Sequence, residues 1–274
     1  MVKEKVLIVG LGDVGRPLFE LIKESGRFAV YGFDIDEQKM RELGQDVLPK
    51  EVDIMHVCIP CPSQDKFVSI TADYAERFKP KLIIINSTVP PETTKDLHKR
   101  CDRLVAHSPI RGVHKSLDHM KWELKRWTKY VGGVDAESAE AARKHFENLG
   151  LKTKVLKSCL ETELAKLFET TYRAWMIACF QEMHRISRRF KADFDGVVDF
   201  LEDTHRVRFD RPVMFPDVIG GHCLIQNAEL LLESYDSEFL RLILKSNEKR
   251  KEEIKDRSVW EEVERIKRKV EATS

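Results

Sequence analysis

"KVLIVGLGDVGRPLFELIKESG", Lys5 to Gly26, decides the fold. A short Val/Ile/Leu run reads as a buried strand. It breaks into three glycines and then into residues whose apolar members recur at helical spacing. Gly10, Gly12 and Gly15 form G-x-G-x-x-G between that strand and that helix, the context a dinucleotide-binding turn requires. Gly10 allows the tight turn, Gly12 lets the backbone approach a pyrophosphate, and Gly15 lets the helix pack close to the sheet. Asp13 and Val14 complete the turn, and the helix N-terminus behind them offers free N–H groups to the phosphates. The second strand ends at Asp34 in "VYGFDID". A carboxylate there accepts hydrogen bonds from the adenosine ribose and repels a 2′-phosphate, so NAD is expected rather than NADP.

Working outward, further strands are expected at "FAVYGFD", "DIMHVCI", "LIIINS", "RLVAH", "KYVGG" and "KTKVL". Helical patterns lie between several of them, at "DEQKMRELG", "TADYAERFK", "ETTKDLHKRC" and "AESAEAARKHFENLG". Strand alternating with helix predicts an α/β fold, a Rossmann-type doubly wound and largely parallel sheet, over residues 1–156. The texture changes after Leu156. "LETELAKLFETTYRAWMIACFQEMHRISRRF" holds helical spacing without proline or glycine and predicts a long spine helix from about Glu161 to Arg189. "FDGVVDFLEDTHR", a Pro/Gly-bearing loop from Arg211 to Gly221 and two more helical runs complete an all-helical domain over 157–274.

Composition excludes several function classes. The chain has 274 residues, 42% hydrophobic and 34% charged, with a formal net charge of +1. That balance gives no electrostatic case for nucleic acid or an anionic membrane surface as partner. The N-terminal apolar run is too short to span a bilayer and lacks a small-residue cleavage site, so a cytoplasmic protein is expected. Six cysteines do not form a disulfide scaffold here. Cys58 and Cys61 in "CIPC" have no second pair or neighbouring histidines to complete a zinc site, so no metal is expected.

Five segments in order carry a family resemblance: "GLGDVG", "CIPCP", "STVPPETT", "ETELAKLFETTYR" and "IGGHC". The chain resembles the nucleotide-sugar 6-dehydrogenases (the UDP-glucose/GDP-mannose dehydrogenase family). The histidine before Cys223 is most similar to the UDP-N-acetylmannosamine branch. The resemblance implies that Cys223 attacks an aldehyde formed by a first hydride transfer. The thiohemiacetal is then oxidised to a thioester, which water opens to a carboxylate. It implies that Lys166 stabilises the oxyanion, that Thr88 lies near a bound water and the nicotinamide, and that Pro60 belongs to the cofactor-binding residues. It also implies a homodimer built on the long helix and a small-molecule substrate of nucleotide-sugar type. A thiolate at a helix start is the chemistry such a step requires.

Four positions depart from the family pattern. Ile110 stands where the family has a glutamate after Ser-Pro, and Glu92 where it has a glycine. Thr170 replaces an asparagine and Asn227 an aspartate. Loss of both carboxylates removes the evident general bases for thioester hydrolysis. Glu161, Glu163, His107 and His114 are candidates to compensate. The family continues into a C-terminal nucleotide-binding domain, which this sequence is expected to lack, so either a separate subunit supplies it or the substrate is different and smaller. Three readings follow. One is a diverged nucleotide-sugar-type dehydrogenase, and another a single-step oxidoreductase of the 6-phosphogluconate or β-hydroxyacid kind. The third is a non-catalytic NAD-binding subunit.

Overall fold

The computed structural model describes residues 3–45, 47–220 and 222–273. The chain forms two compact units, Met1–Lys166 and Leu167–Ser274.

In the first unit seven strands make one sheet in the order β2-β1-β3-β4-β5-β6-β7. They are β1 (Lys5–Val9), β2 (Ala29–Phe33), β3 (Ile54–Val57), β4 (Leu82–Ile85), β5 (Leu104–His107), β6 (Lys129–Gly133) and β7 (Thr153–Val155). The first five are parallel, β6 runs antiparallel to β5, and β7 is parallel to β6. All seven strands expected from the apolar runs are present. Between them lie α1 (Gly15–Glu24), α2 (Glu37–Leu43), α3 (Gln64–Phe78), α4 (Thr93–Cys101), α5 (Leu117–Arg126) and α6 (Ala136–Asn148).

Strand alternation divides the core between the two sheet faces. Val6 and Ile8 point toward Leu18 and Ile22 of α1, Leu124 of α5 and Phe146 of α6. Leu7 and Val9 point the other way, toward Phe67 and Ala75 of α3 and Leu97 of α4. Helices on both faces are what a near-continuous Val/Ile/Leu strand requires. The chain leaves β1 first to one side and then to the other. The crevice beyond the C-terminal ends of β1 and β3 is therefore the switch point, where such sheets bind ligands.

Two differences from the sequence reading concern the helices. α5 has no counterpart among the expected helices; it begins at a Ser116 hydroxyl that accepts from the His119 amide at 3.2 Å. The last stretch holds three helices where two runs were expected: α9 (His222–Ser234), α10 (Glu238–Glu253) and α11 (Arg257–Thr273). The extra break falls at Asp256, whose carboxylate accepts from the Ser258 amide at 2.8 Å and so starts a new helix.

The long helix α7 runs from Cys159 to Arg189, 31 residues, and α8 covers Phe194–Arg208. The second unit is all-helical, with Phe180 of α7, Phe194 and Val198 of α8, and Ile266 and Val270 of α11 forming an apolar cluster. Among the described residues no helix is long and apolar enough to cross a membrane.

Candidate functional site

The glycine turn is built as its spacing predicts. Gly10 has φ +88°, and a Cβ there would lie 2.6 Å from the Cys58 carbonyl oxygen. Its amide donates to the Phe33 carbonyl at 2.8 Å, tying the turn to the end of β2. A Cβ on Gly15 would lie 1.8 Å from the Gly10 carbonyl oxygen. A Cβ on Gly12 would meet no protein atom within 4 Å. Fold geometry thus accounts for two of the glycines, and Gly12 faces open space where a ligand backbone would pass. Val14 at the N-cap of α1 gives no side-chain cap, whereas α2, α3, α5 and α6 are capped by Asp36, Ser63, Ser116 and Asp135. The first-turn amides of α1 are left for an anion. These residues fit the pyrophosphate of a dinucleotide.

Asp34 follows β2 beside this turn. Its carboxylate accepts from the Leu11 amide at 2.6 Å and the Asp36 amide at 3.0 Å, with Lys39 Nζ at 3.4 Å. Burial pushes its acidity the other way, but these donors outweigh it and hold the carboxyl below the ordinary aspartate value. Asp34 is therefore an anion that braces the glycine turn, with lone pairs remaining for ribose hydroxyls.

The neighbouring strand ends complete the edge. Cys58 and Pro60 follow β3, and Asn86, Ser87 and Thr88 follow β4. The Ser87 hydroxyl donates to the Ile59 carbonyl at 2.6 Å, clamping the two loops together. Pro60 is exposed and Thr88 half-buried. Burial pushes the Cys58 thiol up to about 12, which makes it inert as a nucleophile. Among the described residues no group of three His, Cys, Asp or Glu is placed to hold a metal ion.

Behind this edge lies a polar network that sequence reading missed. His56 Nδ1 lies 2.8 Å from Asn86 Oδ1, and its Nε2 lies 2.9 Å from His145 Nε2. Asn86 donates to the Ser108 carbonyl at 2.8 Å, and buried Lys129 donates to the same oxygen at 2.8 Å. Burial pushes Lys129 down to about 7. The only sequence signal was a histidine and a lysine inside otherwise apolar strands. Lys129 and Asn86 together fix the Ser108–Pro109 turn. Ile110 on that turn packs into the apolar core, so the position where the family has a glutamate presents no carboxylate.

The candidate substitute bases hold structural places. His107 is fully buried, bonded to Thr162 Oγ1 at 2.8 Å and the Ser87 carbonyl at 3.1 Å, and burial pushes it down to about 3. Glu163 is fully buried and accepts from the Glu92 and Thr94 amides, each at 2.8 Å, and from the Thr94 hydroxyl at 2.5 Å. It caps the N-terminus of α4, although burial pushes it up to about 7. Glu161 is exposed and accepts from the Lys157 amide at 2.7 Å, closing the start of α7. His114 lies exposed in the loop before α5. Glu92 adopts φ +73°, the left-handed region that favours glycine, which accounts for the family's preference there.

In α7, Lys166 is half-buried, and its charge contributes to holding His107 and Lys129 down. One turn later on the same helix, Thr170 is buried. In the second unit Asn227 Nδ2 donates to Thr170 Oγ1 at 3.0 Å, and that hydroxyl donates to the Leu167 carbonyl at 2.9 Å. The two substituted positions are thus direct partners. Cys223 lies exposed in the first turn of α9, four residues before Asn227. Gly221 and the His222 side chain lie outside the described residues. The loop leading to Cys223 is pinned by two buried amides absent from the sequence expectations. Gln181 of α7 donates to the Asp217 carbonyl at 2.7 Å, and Asn247 of α10 accepts from the Ile219 amide at 2.7 Å.

The chain thus pairs a Rossmann-type sheet, with an uncapped glycine turn, with a helical unit joined to it by one long helix. Residues 160–249, the segment that bears Lys166, Thr170, Cys223 and Asn227, are similar to the UDP-glucose/GDP-mannose dehydrogenase family, central domain. The chain is 27% identical to the UDP-N-acetyl-D-mannosamine dehydrogenase of Methanocaldococcus jannaschii, over 89% of this chain and 65% of that protein. It therefore spans about two thirds of the length of such relatives. The solved UDP-N-acetyl-mannosamine dehydrogenase of Pyrococcus horikoshii superposes with a TM-score of 0.72 at 20% identity, over 89% of this chain and 68% of that one. The Mycobacterium tuberculosis 3-hydroxyisobutyrate dehydrogenase superposes with a TM-score of 0.68 at 15% identity, over 93% of this chain and 95% of that one.

Proposed function

We propose that the chain is an NAD-dependent oxidoreductase of the nucleotide-sugar dehydrogenase type that acts on an alcohol carbon. In this reading residues 1–156 hold the cofactor and 157–274 form the helical domain. NAD supplies the hydride acceptor. Gly10, Gly12, Asp13, Val14 and Gly15 receive its pyrophosphate, Asp34 its adenosine ribose, and Pro60 and Thr88 border its nicotinamide. The Lys166 ammonium stabilises the alkoxide as the alcohol loses its proton. The alkoxide's hydride would pass to NAD, the Cys223 thiolate would add to the resulting aldehyde carbon, the thiohemiacetal's hydride would pass to a second NAD, and water would open the thioester to the acid and free the thiol.

The observation that carries this reading is the Thr170–Asn227 hydrogen bond. Lys166 precedes Thr170 by one turn on α7, and Cys223 precedes Asn227 by one turn on α9. Two family positions have changed together and remain partners, which supports a retained but altered site.

A single-step oxidation that leaves Cys223 idle is the second reading. The absence of a carboxylate at both Ile110 and Asn227 favours it. The experiment is NADH production with UDP-glucose, UDP-N-acetylmannosamine and UDP-N-acetylglucosamine, alongside Cys223→Ser. Two NADH per sugar, lost in the variant, is the expected outcome. One NADH, undiminished in the variant, replaces the covalent route by the second reading. Silence with every sugar, while NAD binds, supports the third reading, an NAD-binding subunit without catalysis.

A homodimer in the cytoplasm is part of the proposal. Phe168, Tyr172, Met183, Ile186 and Phe190 stand exposed along α7 at helical spacing, an apolar stripe of the kind that a second copy covers. Ile186→Glu is expected to halve the mass measured by light scattering; an unchanged mass removes α7 from the interface.

A further inference from the structure

The second unit contains a cavity of about 320 Å3 that the proposed oxidation does not use. It is large enough for a small ligand, since sites of this kind begin at about 300 Å3. Three cations from α7, Arg185, Arg188 and Arg189, and two from α10, Lys249 and Arg250, line it against one lining carboxylate, Glu253.

The ion pairs around it do not balance. Arg185 Nε donates to the two Glu253 oxygens at 2.8 and 3.0 Å, and its Nη1 reaches Glu182 at 2.9 Å. Arg188 reaches Glu262 at 2.9 Å. Arg250 is fully buried; its Nη2 donates to the Gln181 carbonyl at 2.9 Å and its Nη1 to His184 Nδ1 at 3.1 Å. Its Nε lies 3.3 Å from Glu253 Oε2 but has no aligned acceptor. His184 accepts from Arg250, so its Nε2 carries the proton and donates to Glu262 at 2.8 Å, leaving the ring neutral. Glu182, Glu253 and Glu262 therefore serve Arg185, Arg250 and Arg188. Arg189 has no carboxylate within ion-pair distance among the described residues. Lys249 has only the already shared Glu253, at 4.0 Å. Two positive charges are left over at the exposed rim, above a buried guanidinium that burial pushes down to about 10. Their mutual repulsion is relieved when an anion enters.

We propose that this cavity binds the diphosphate group of an anion, with Arg189 and Lys249 engaging it at the rim, Arg188 at the wall, and buried Arg250 adding its charge from behind. Guanidinium forks match phosphoryl oxygens in pairs, and a diphosphate carries the charge that the surplus lacks. At about 30 Å3 per water the cavity holds on the order of ten waters, more than a single carboxylate displaces. Inorganic pyrophosphate and a nucleoside diphosphate present the same group.

The test is calorimetric titration of the full chain with pyrophosphate, ADP and UDP at physiological ionic strength, with hydrogen exchange read by peptide. The expected result is slowed exchange over 182–192 and 246–260, and an affinity at least tenfold weaker in R189E/K249E. R189Q/K249Q, which adds no repulsion, is expected to weaken binding by at least threefold, so the charge requirement is tested even if the reversed variant does not fold. Equal affinities for all three ligands support a site for the inorganic group. Tighter binding of one nucleotide supports the same site with a base contact added. Protection confined to residues 10–17 would overturn the proposal by assigning the diphosphate to the glycine turn. Unchanged affinity in the glutamine variant would overturn it as well. Neither outcome depends on whether the chain oxidises a sugar.

Discussion

At the scale of single residues, the three glycines of the turn separate two kinds of constraint. A methyl on Gly15 would occupy the Gly10 carbonyl, so Gly15→Ala is expected to cost about 3 kcal/mol or more and to fold poorly. A methyl on Gly12 meets open space, so Gly12→Ala is expected to stay within about 1 kcal/mol of the parent. Its NAD affinity, read by fluorescence titration, should nevertheless fall at least tenfold. An unaltered affinity would mean that NAD does not pass over this turn. The Thr170–Asn227 pair calls for a double-mutant cycle. Asn227→Asp removes the N–H donor and buries a carboxylate beside the Thr170 hydroxyl, an expected loss of about 1–3 kcal/mol in urea unfolding. Thr170→Asn added to it restores a donor toward the new carboxylate, so the double variant should recover about 1 kcal/mol or more. Strict additivity would show that the two positions are not coupled.

At the scale of elements, the cap of α4 is supplied by a side chain 71 residues away from Glu92, the Glu163 carboxylate. Glu163→Gln replaces an acceptor oxygen with an amide facing donors. It is expected to cost about 1–3 kcal/mol in thermal unfolding; an unchanged midpoint would mean that the cap contributes nothing. This contact also shows what could be read from the sequence and what could not. All seven strands and the spine helix were legible because their apolar periodicity is local. α5 was not, since its buried face consists of only Met120, Glu123 and Leu124, and a buried glutamate breaks the apolar pattern. In the site, Gly10, Gly15 and Asp34 were legible through a motif that prescribes geometry. The cap by Glu163, the Gln181 and Asn247 clamps on the Cys223 loop and the Asn86–Lys129 brace were not. Each joins polar residues far apart in sequence, and nothing local marks such a residue as buried.

At the scale of the whole molecule, burial of titratable groups fixes the response to pH. His107 and His145 are each pushed down to about 3 by burial, and His56 well below its ordinary value for the same reason. Between about 6.5 and about 3 the unfolded chain binds protons that the folded chain refuses. Stability should therefore fall as pH falls through that window, by roughly 1.4 kcal/mol per pH unit for each histidine. His184 is held low as well, chiefly by burial, and Glu163, pushed up to about 7, opposes these histidines above about 4.5. Unfolding midpoints from pH 7 to pH 4 are expected to decline, and less steeply in His145→Phe, which removes one of these histidines. A flat profile would mean that the histidines are not neutral in the fold.

Gly10 and Gly15 are required by the packing of the turn against β3 and against itself, whether or not a nucleotide is present. In lineages descended from such a chain, selection for folding alone would keep both long after a cofactor had been lost. Gly12 has no such protection and would drift first. The middle glycine is thus the position at which the history of cofactor use is recorded, and the outer two record only that the domain still folds.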